Sequence, residues 1–161
     1  MKIIPNQNRS DASMILEAIS EGIQGFIKGQ AIIALIMAIC VMVAMKILGL
    51  NLIIVAVLYV FIAMIIPVVG PIICVIVPLL IAASTSLSLF IILAIILFVL
   101  SQIIVNVVQP KVLSKSLGIH PVIVVLAVII GAQLFGFVGA LLALPVASII
   151  QSLLIHYYRY L

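Results

Sequence analysis

Residues 52–83 read LIIVAVLYVFIAMIIPVVGPIICVIVPLLIAA, a run of thirty-two residues without a charged side chain. A helix that crosses a bilayer needs about 20 apolar residues, so this run is too long for one span. Its centre, Pro67-Val68-Val69-Gly70-Pro71, lacks two backbone N–H donors and contains a flexible glycine, so a helix cannot continue through it unbent. We therefore expect a helix at Leu52–Ile66, a break at residues 67–71, and a helix at Ile72–Ala83 that Pro78 bends.

The whole chain is almost as poor in charge as this run. Of its 161 residues, 68% are apolar and 6% are charged, whereas a soluble domain is about 45–50% apolar and about 25% charged. Between Gly29 and Tyr158 the only permanently charged side chains are Lys46, Lys111 and Lys115. A water-soluble fold of this size cannot cover so much hydrocarbon with polar side chains. The composition predicts an all-α, polytopic transmembrane helix bundle whose first partner is the lipid bilayer.

The same pattern divides the chain into two parts. Residues 1–28 are expected to form a cytoplasmic N-terminal tail with an amphipathic interfacial helix at residues 13–28, and residues 29–161 are expected to form the transmembrane domain. The further expected segments are spans at Gly29–Leu48 and Leu89–Val108, a long polar loop at Gln109–Pro121, and helices at Val122–Leu134 and Ala140–Ile155 around a turn at residues 136–139. This gives about six membrane segments. The last two helices are short, so a re-entrant C-terminal hairpin is the alternative.

The basic residues set the expected orientation. With six crossings and the N-terminus inside, six of the seven Lys and Arg residues fall on the cytoplasmic side and only Lys46 falls outside. Both termini are therefore predicted to be cytoplasmic. The first residues lack the apolar core of a cleavable signal peptide. Because the basic residues follow this topology pattern, the net charge of +4 does not indicate a nucleic-acid partner.

Three amides suggest a pathway. Gln102, Asn106 and Gln109 are spaced i, i+4 and i+7, which places them on one face of a helix. Amides in hydrocarbon are costly without partners, so this stripe is expected to face protein or water. It either joins helices by hydrogen bonds or lines a path for a polar solute. The break at residues 67–71 is likewise either a turn at the surface or a discontinuous segment at depth, where transporters bind substrates.

The remaining candidates are loop residues and glycines. His120 either caps a helix or acts as a gate that titrates near neutral pH, while Lys111 and Lys115 are expected to anchor the chain at the cytoplasmic surface. The candidate pathway or gate residues are Pro67, Gly70, Pro71, Gln102, Asn106, Gln109, Pro110, Lys111, Gly118, His120 and Pro121. The candidate helix-packing or hinge residues are Gly25, Gly29, Gly131, Gly136, Gly139 and Pro145.

The sequence offers no support for catalytic chemistry. All three acids, Asp11, Glu17 and Glu21, precede the first span, so the expected spans contain no carboxylate relay. The sequence contains no evident acid–base pair, nucleophile motif, metal-ligand cluster or phosphate-binding loop. Cys40 and Cys74 are isolated in apolar runs and are expected to be buried free thiols. We therefore expect neither enzymatic activity nor a cofactor or metal.

Several short motifs follow one another in a fixed order. They are Phe26-Ile27-Lys28-Gly29-Gln30, Ile66-Pro67-Val68-Val69-Gly70-Pro71-Ile72, Asn106-Val107-Val108-Gln109-Pro110-Lys111, Ser116-Leu117-Gly118-Ile119-His120-Pro121, and Gly131 followed by Phe135-Gly136-Phe137-Val138-Gly139-Ala140 and Leu144-Pro145. No single motif is specific, but the ordered set resembles the C-terminal half of the autoinducer-2 exporter family of bacterial permeases. The resemblance covers about four-fifths of the chain.

The resemblance implies a multi-pass protein of the bacterial inner membrane that exports a small-molecule solute. The substrate that names the family is autoinducer-2, a quorum-sensing signal, and sodium/proton antiport is a second activity associated with such proteins. Family members typically carry further spans before the matched region, and they commonly have a glycine where this chain has Ser114. We therefore expect a homo-oligomer or a partner that supplies the N-terminal half. The alternative is a truncated or split-gene half, or an assembly subunit, without transport activity alone.

Overall fold

The chain folds into helices joined by short turns. The computed structural model describes residues 6–66, 69–118 and 121–159, and the absence of any strand from these residues confirms the all-α prediction for them. The elements are α1 (Asn6–Ile47), α2 (Ile53–Met64), α3 (Gly70–Ile73), α4 (Ile76–Thr85), α5 (Leu87–Ile103), a π-helical segment (Ile104–Val108), α6 (Gln109–Leu117) and α7 (Pro121–Arg159). α1 runs without interruption past Lys28, so one helix joins the expected interfacial segment to the expected first span.

The chain divides into two compact units, residues 29–112 and residues 1–28 with 113–161. In the first unit, α1 presents a buried stripe at every fourth residue, formed by Ile33, Met37, Val41 and Met45. α2 packs against α3 and α4, and α4 packs along α5. The core of this unit is therefore formed by apolar side chains of helices that follow one another along the chain.

The outer faces of the same helices are also apolar. On α1, Leu35, Ile39 and Val43 lie about half exposed beside the buried stripe. A surface of this composition suits hydrocarbon better than water. Among the described residues, two helical stretches, Ser20–Ile47 and Leu87–Leu117, are long and apolar enough to cross a membrane. Shorter apolar helices lie at Ile53–Met64, Gly70–Thr85 and Val122–Gly136, and the number of six membrane segments stays a prediction.

The expected polar loop at Gln109–Pro121 is helical over most of its length, so this prediction is wrong. α6 extends the helix of α5 through the π-helical segment as far as Leu117. No helix breaker follows Pro110 until Gly118, which has φ +67° and lies in the left-handed conformation that commonly ends a helix. His120 lies outside the described residues, and Pro121 begins α7, where a proline needs no helical N–H partner.

α7 is two helical arms joined by a sharp reversal. Phe135 and Gly136 have non-helical backbone angles, and Gly136 has φ 60° and ψ −141°, a conformation open essentially to glycine alone. A Cβ placed on Gly131 would meet the side chain of Ala143, although a straight helix would hold these residues about 18 Å apart. The two predicted helices therefore form a hairpin. The turn was expected at residues 136–139 but lies at Phe135 and Gly136, because only Gly136 there has a backbone that requires glycine.

Candidate functional site

The break in the apolar run lies between α2 and α3, as the sequence predicts. α2 ends at Met64 and α3 begins at Gly70, while Pro67 and Val68 lie outside the described residues. Gly70 is buried, and a Cβ on it would lie 2.7 Å from the carbonyl oxygen of Ala63 and 2.9 Å from Cα of Met64. Only a glycine permits this approach, so α3 begins directly against the last turn of α2.

A side chain of α1 holds the end of α2. Gln30 Nε2 donates a hydrogen bond of 2.6 Å to the carbonyl oxygen of Met64, and Gln30 is 3% exposed. The carbonyls of a helix's last turn have no intrahelical partner, and an unsatisfied carbonyl in an apolar interior costs several kcal/mol. Gln30 therefore stabilises the broken end of α2 from a position 34 residues earlier in the chain.

The other end of the same amide is unused. Gln30 Oε1 and Ser101 Oγ are the buried side-chain oxygens without a hydrogen-bond partner among the described residues. Ser101 follows Leu93 and Leu97 on the buried face of α5. The described part of the chain thus contains a buried, unpaired hydrogen-bond acceptor, Gln30 Oε1, beside the helix break.

A second side chain holds the far end of α3. The hydroxyl of Tyr59 donates to the carbonyl oxygen of Ile73 at 2.9 Å. Behind Ile73 the helix is interrupted at Cys74 and Val75 before α4 begins. The sequence predicted a bend at Pro78, and the interruption lies four residues earlier, because Pro78 has no N–H for the carbonyl of Cys74. α3 is thus a single helical turn between two interruptions. Gln30 bonds to the end of α2 before it, and Tyr59 bonds to the last carbonyl of α3 itself.

Gln102 and Asn106 form a pair on α5 and the π-helical segment. Asn106 Nδ2 donates to the backbone carbonyl of Gln102 at 2.9 Å and to its Oε1 at 3.0 Å, and both residues are exposed. The exposed pair also carries Gln102 Nε2, which is a donor, and Asn106 Oδ1, which is an acceptor. Such a pair can bind a polar group that donates and accepts.

Pro110 explains the π-helical segment. Proline has no N–H, so the carbonyl of Asn106, four residues earlier, loses its α-helical partner. The helix widens instead, and the N–H of Gln109 bonds to the carbonyl of Ile104, five residues earlier. A π-helical turn rotates less per residue than an α-helical turn. Gln102 and Asn106 are exposed, whereas Gln109 is half-buried. The predicted stripe of three amides therefore holds for Gln102 and Asn106, and Gln109 is rotated away from their face.

The residues expected to pack helices make close backbone contacts. In the second unit, Gly25 of α1 approaches α6, where its Cβ would lie 2.5 Å from the carbonyl oxygen of Ser116. Gly131 and Gly139 lie backbone against backbone across the hairpin. Gly29 is buried in α1. Pro145 lies within α7, its side chain outside the described part, and Lys111 and Lys115 are exposed on α6.

Sequence reasoning missed the roles of Gln30 and Tyr59. Gln30 is the only amide between residues 29 and 50, and a lone amide in an apolar helix signals a buried partner. Tyr59 carries the only hydroxyl in α2, which is the same kind of signal. Their partners are backbone carbonyls in later elements, and no pattern in the sequence specifies these carbonyls. No group of three or more His, Cys, Asp or Glu side chains that could hold a metal occurs in the described ranges.

The sequence profile described as AI-2E family transporter matches residues 1–159. The chain belongs to this transporter family. Over 54 residues it is 37% identical to "Putative transport protein YrrI" of Bacillus subtilis (strain 168), a match that covers 34% of this chain and 15% of that relative. Over 53 residues it is 42% identical to "Putative transport protein sll0060" of Synechocystis sp. (strain ATCC 27184 / PCC 6803 / Kazusa), covering 33% and 15%. No solved structure matches the chain significantly.

Family membership confirms the resemblance found in the motifs. Two of these motifs contain residues of the break: Gln30, which holds the end of α2, and Gly70, which allows α3 to approach it. A third contains Asn106 and Pro110, the sources of the amide pair and of the π-helical segment. The match to each curated relative covers about a third of this chain and 15% of that relative's length, so only a short segment of the AI-2E family member described here is aligned with each.

Proposed function

We propose that this AI-2E family member acts in the bacterial inner membrane and exports a small polar solute, with autoinducer-2 as the first candidate. The observation that carries the proposal is the helix break that Gln30 holds inside an apolar unit. Irregular backbone at membrane depth is tolerated only where it is buried in protein or lines a cavity, and transporters use such breaks to bind solutes. The family's description as transporters supports the same function.

The proposed pathway has two walls within residues 29–112. One wall is the α2–α3 break with Gly70 and Pro71, and the other is the Gln102–Asn106 pair with the π-helical turn before Pro110. No hydrogen bond joins the two walls among the described residues. Movement of the one-turn helix α3 relative to α5 gates the pathway, because prolines and glycines leave both places without a continuous helical ladder.

The proposed orientation has both termini in the cytoplasm. A single cysteine at Ser116 should then be shielded from an impermeant thiol reagent in whole cells, while one at Ser86 should react. Both variants are made in a background without Cys40 and Cys74. Labelling at position 116 but not at 86 in intact cells would reverse the proposed orientation.

Transport is tested by autoinducer-2 efflux from loaded proteoliposomes and from producing cells, at matched protein levels. Asn106→Leu should reduce efflux, because it removes a solute contact. Its cost in stability is the loss of two exposed hydrogen bonds to Gln102, together worth about 1 kcal/mol. Gln24→Leu is the control, because Gln24 is an exposed amide of α1 that bonds only within its own helix. Equal efflux from Asn106→Leu and the unmodified chain would misplace the pathway. Absence of efflux from the unmodified chain would reject export of this solute.

A further inference from the structure

Gln30 has a buried amide of which only one end is used. Its Nε2 donates to the carbonyl of Met64, and its Oε1 accepts no hydrogen bond. A carbonyl oxygen accepts and cannot donate, so the Met64 contact fixes which end of the amide is nitrogen. The unpartnered atom is therefore an acceptor oxygen, on a side chain that is 97% buried beside the break.

We propose that Gln30 Oε1 is a solute-binding subsite that accepts a hydrogen bond from a hydroxyl or N–H group of a neutral solute. This inference rests on the transport function proposed above and specifies the class of solute. A purely structural cap needs only Nε2, and an unpaired buried oxygen destabilises the fold that contains it. A donor group of a solute removes this cost, so binding is favoured at this atom.

The surrounding atoms select the class of ligand. The carbonyl of Met64 is occupied by Nε2, and the carbonyl of Ala63 accepts the N–H of Ile66 at 3.1 Å. One idle acceptor satisfies one donor hydrogen, whereas a cation such as Ca²⁺ or Mg²⁺ needs about six oxygen ligands. An anionic group would be repelled by these partially negative oxygens. The site therefore suits an uncharged, hydroxyl-bearing or N–H-bearing solute.

In this proposal, α3 is the segment whose movement gives a solute access to Oε1. In this structure Oε1 is covered, and α3 lies against the end of α2 through Gly70. Only four residues long, α3 has an interruption at each end, and the hydroxyl of Tyr59 holds its last carbonyl. In this proposal, displacement of this one turn is the movement that exposes Oε1 to a solute.

The test compares two variants that loosen the same break in different ways. Gln30→Met keeps the length of the side chain but removes both polar groups, including the donor to Met64 at the end of α2. Tyr59→Phe removes the side-chain hydrogen bond to Ile73 of α3 and leaves Oε1 in place. Purified protein in detergent is heated with increasing ribitol, and separately with fully O-methylated ribitol, which has no donor. A ligand that binds the folded state raises the melting temperature by mass action. The general stabilisation by a polyol is common to all variants and cancels in the comparison.

We expect a saturable ribitol shift in the unmodified chain, an apparent Kd for Tyr59→Phe that is equal or lower because α3 is displaced more readily, and an apparent Kd about three- to tenfold higher for Gln30→Met. Methylated ribitol should not distinguish the variants. Gln30→Asn, which keeps both polar groups but withdraws them by one methylene, serves if Gln30→Met does not fold, with the same expected weakening. Equal affinity in the Gln30 variants and the unmodified chain, or no saturable shift in the unmodified chain, overturns the subsite. Saturable binding without autoinducer-2 efflux supports the subsite and rejects export of that solute.

Discussion

Replacing Gly70 by alanine places one methyl group against the backbone of α2. The new Cβ would lie 2.7 Å from the carbonyl oxygen of Ala63, whereas ordinary contacts begin at 3.4 Å, so α3 must move by about 0.7 Å. Overpacking of this kind costs about 1–3 kcal/mol, and the higher helix propensity of alanine returns less than about 1 kcal/mol. The free energy of unfolding should fall by about 1–2 kcal/mol, which corresponds to about 2–8 °C in melting temperature for a chain of this size.

Gly49→Ala is the matched control for this substitution. Gly49 has φ +65° and nothing within 4 Å of its Cβ position, so alanine there strains the backbone by about 1 kcal/mol without touching α3. The assay combines thermal unfolding in detergent with autoinducer-2 efflux at matched protein levels. Both variants should lose stability, and Gly70→Ala alone should alter efflux. If Gly70→Ala is as stable as the unmodified chain, the close approach of α3 to α2 is wrong. If both variants change efflux equally, the effect reports stability and not the break.

Three further substitutions test other features of the fold. Gln30→Leu should lower the free energy of unfolding, measured by chemical denaturation, by about 1–3 kcal/mol, because the Met64 carbonyl loses its hydrogen-bond partner. The exposed Gln24→Leu is the control and should lower it by less than about 0.5 kcal/mol. Equal losses in the two variants would contradict the stabilisation of the α2 end by Gln30. Gly136→Ala should lower the free energy of unfolding by about 1–3 kcal/mol, because the backbone angles of Gly136 are open essentially to glycine alone. An unchanged melting temperature would contradict the sharp reversal in α7. Pro110→Ala should restore an N–H to the carbonyl of Asn106, so amide hydrogen exchange at residue 110 should be slow, and rapid exchange there would count against the proline origin of the π-helical segment.

The break was predictable from sequence because its cause is local. Within five residues the sequence has two prolines without a backbone N–H, Pro67 and Pro71, and the flexible Gly70. Helix α2 does end before this segment, and α3 begins at Gly70. The interruption caused by Pro78 was predicted at Pro78 itself but lies at Cys74 and Val75. A proline has no N–H, so the carbonyl four residues before it loses its helical hydrogen bond. The same rule applied to Pro110 yields a π-helical turn where the sequence analysis expected a span to end and a loop to begin.

The contacts that hold the break were not predictable in the same way. Gln30 bonds to a carbonyl 34 residues away, and Tyr59 to one 14 residues away. A side-chain amide or hydroxyl in an apolar helix indicates that a partner exists, but backbone carbonyls are identical in every residue, so the sequence does not say which one it is. Packing of the folded chain decides the pairing.

The shortness of α3 determines how fast and how locally this region can respond. Four helical residues span only about 6 Å, and the backbone hydrogen bonds of this segment reach no farther than four residues along the chain. A short, locally bonded segment belongs at the low end of the range of local opening free energies. Loop-sized rearrangements of this kind occur in nanoseconds to microseconds, whereas collective motions of whole domains take microseconds to milliseconds. Opening of this one turn therefore meets a small barrier in the proposed gating, and hydrogen exchange should find the amides of α3 opening well before those of α2 and α5.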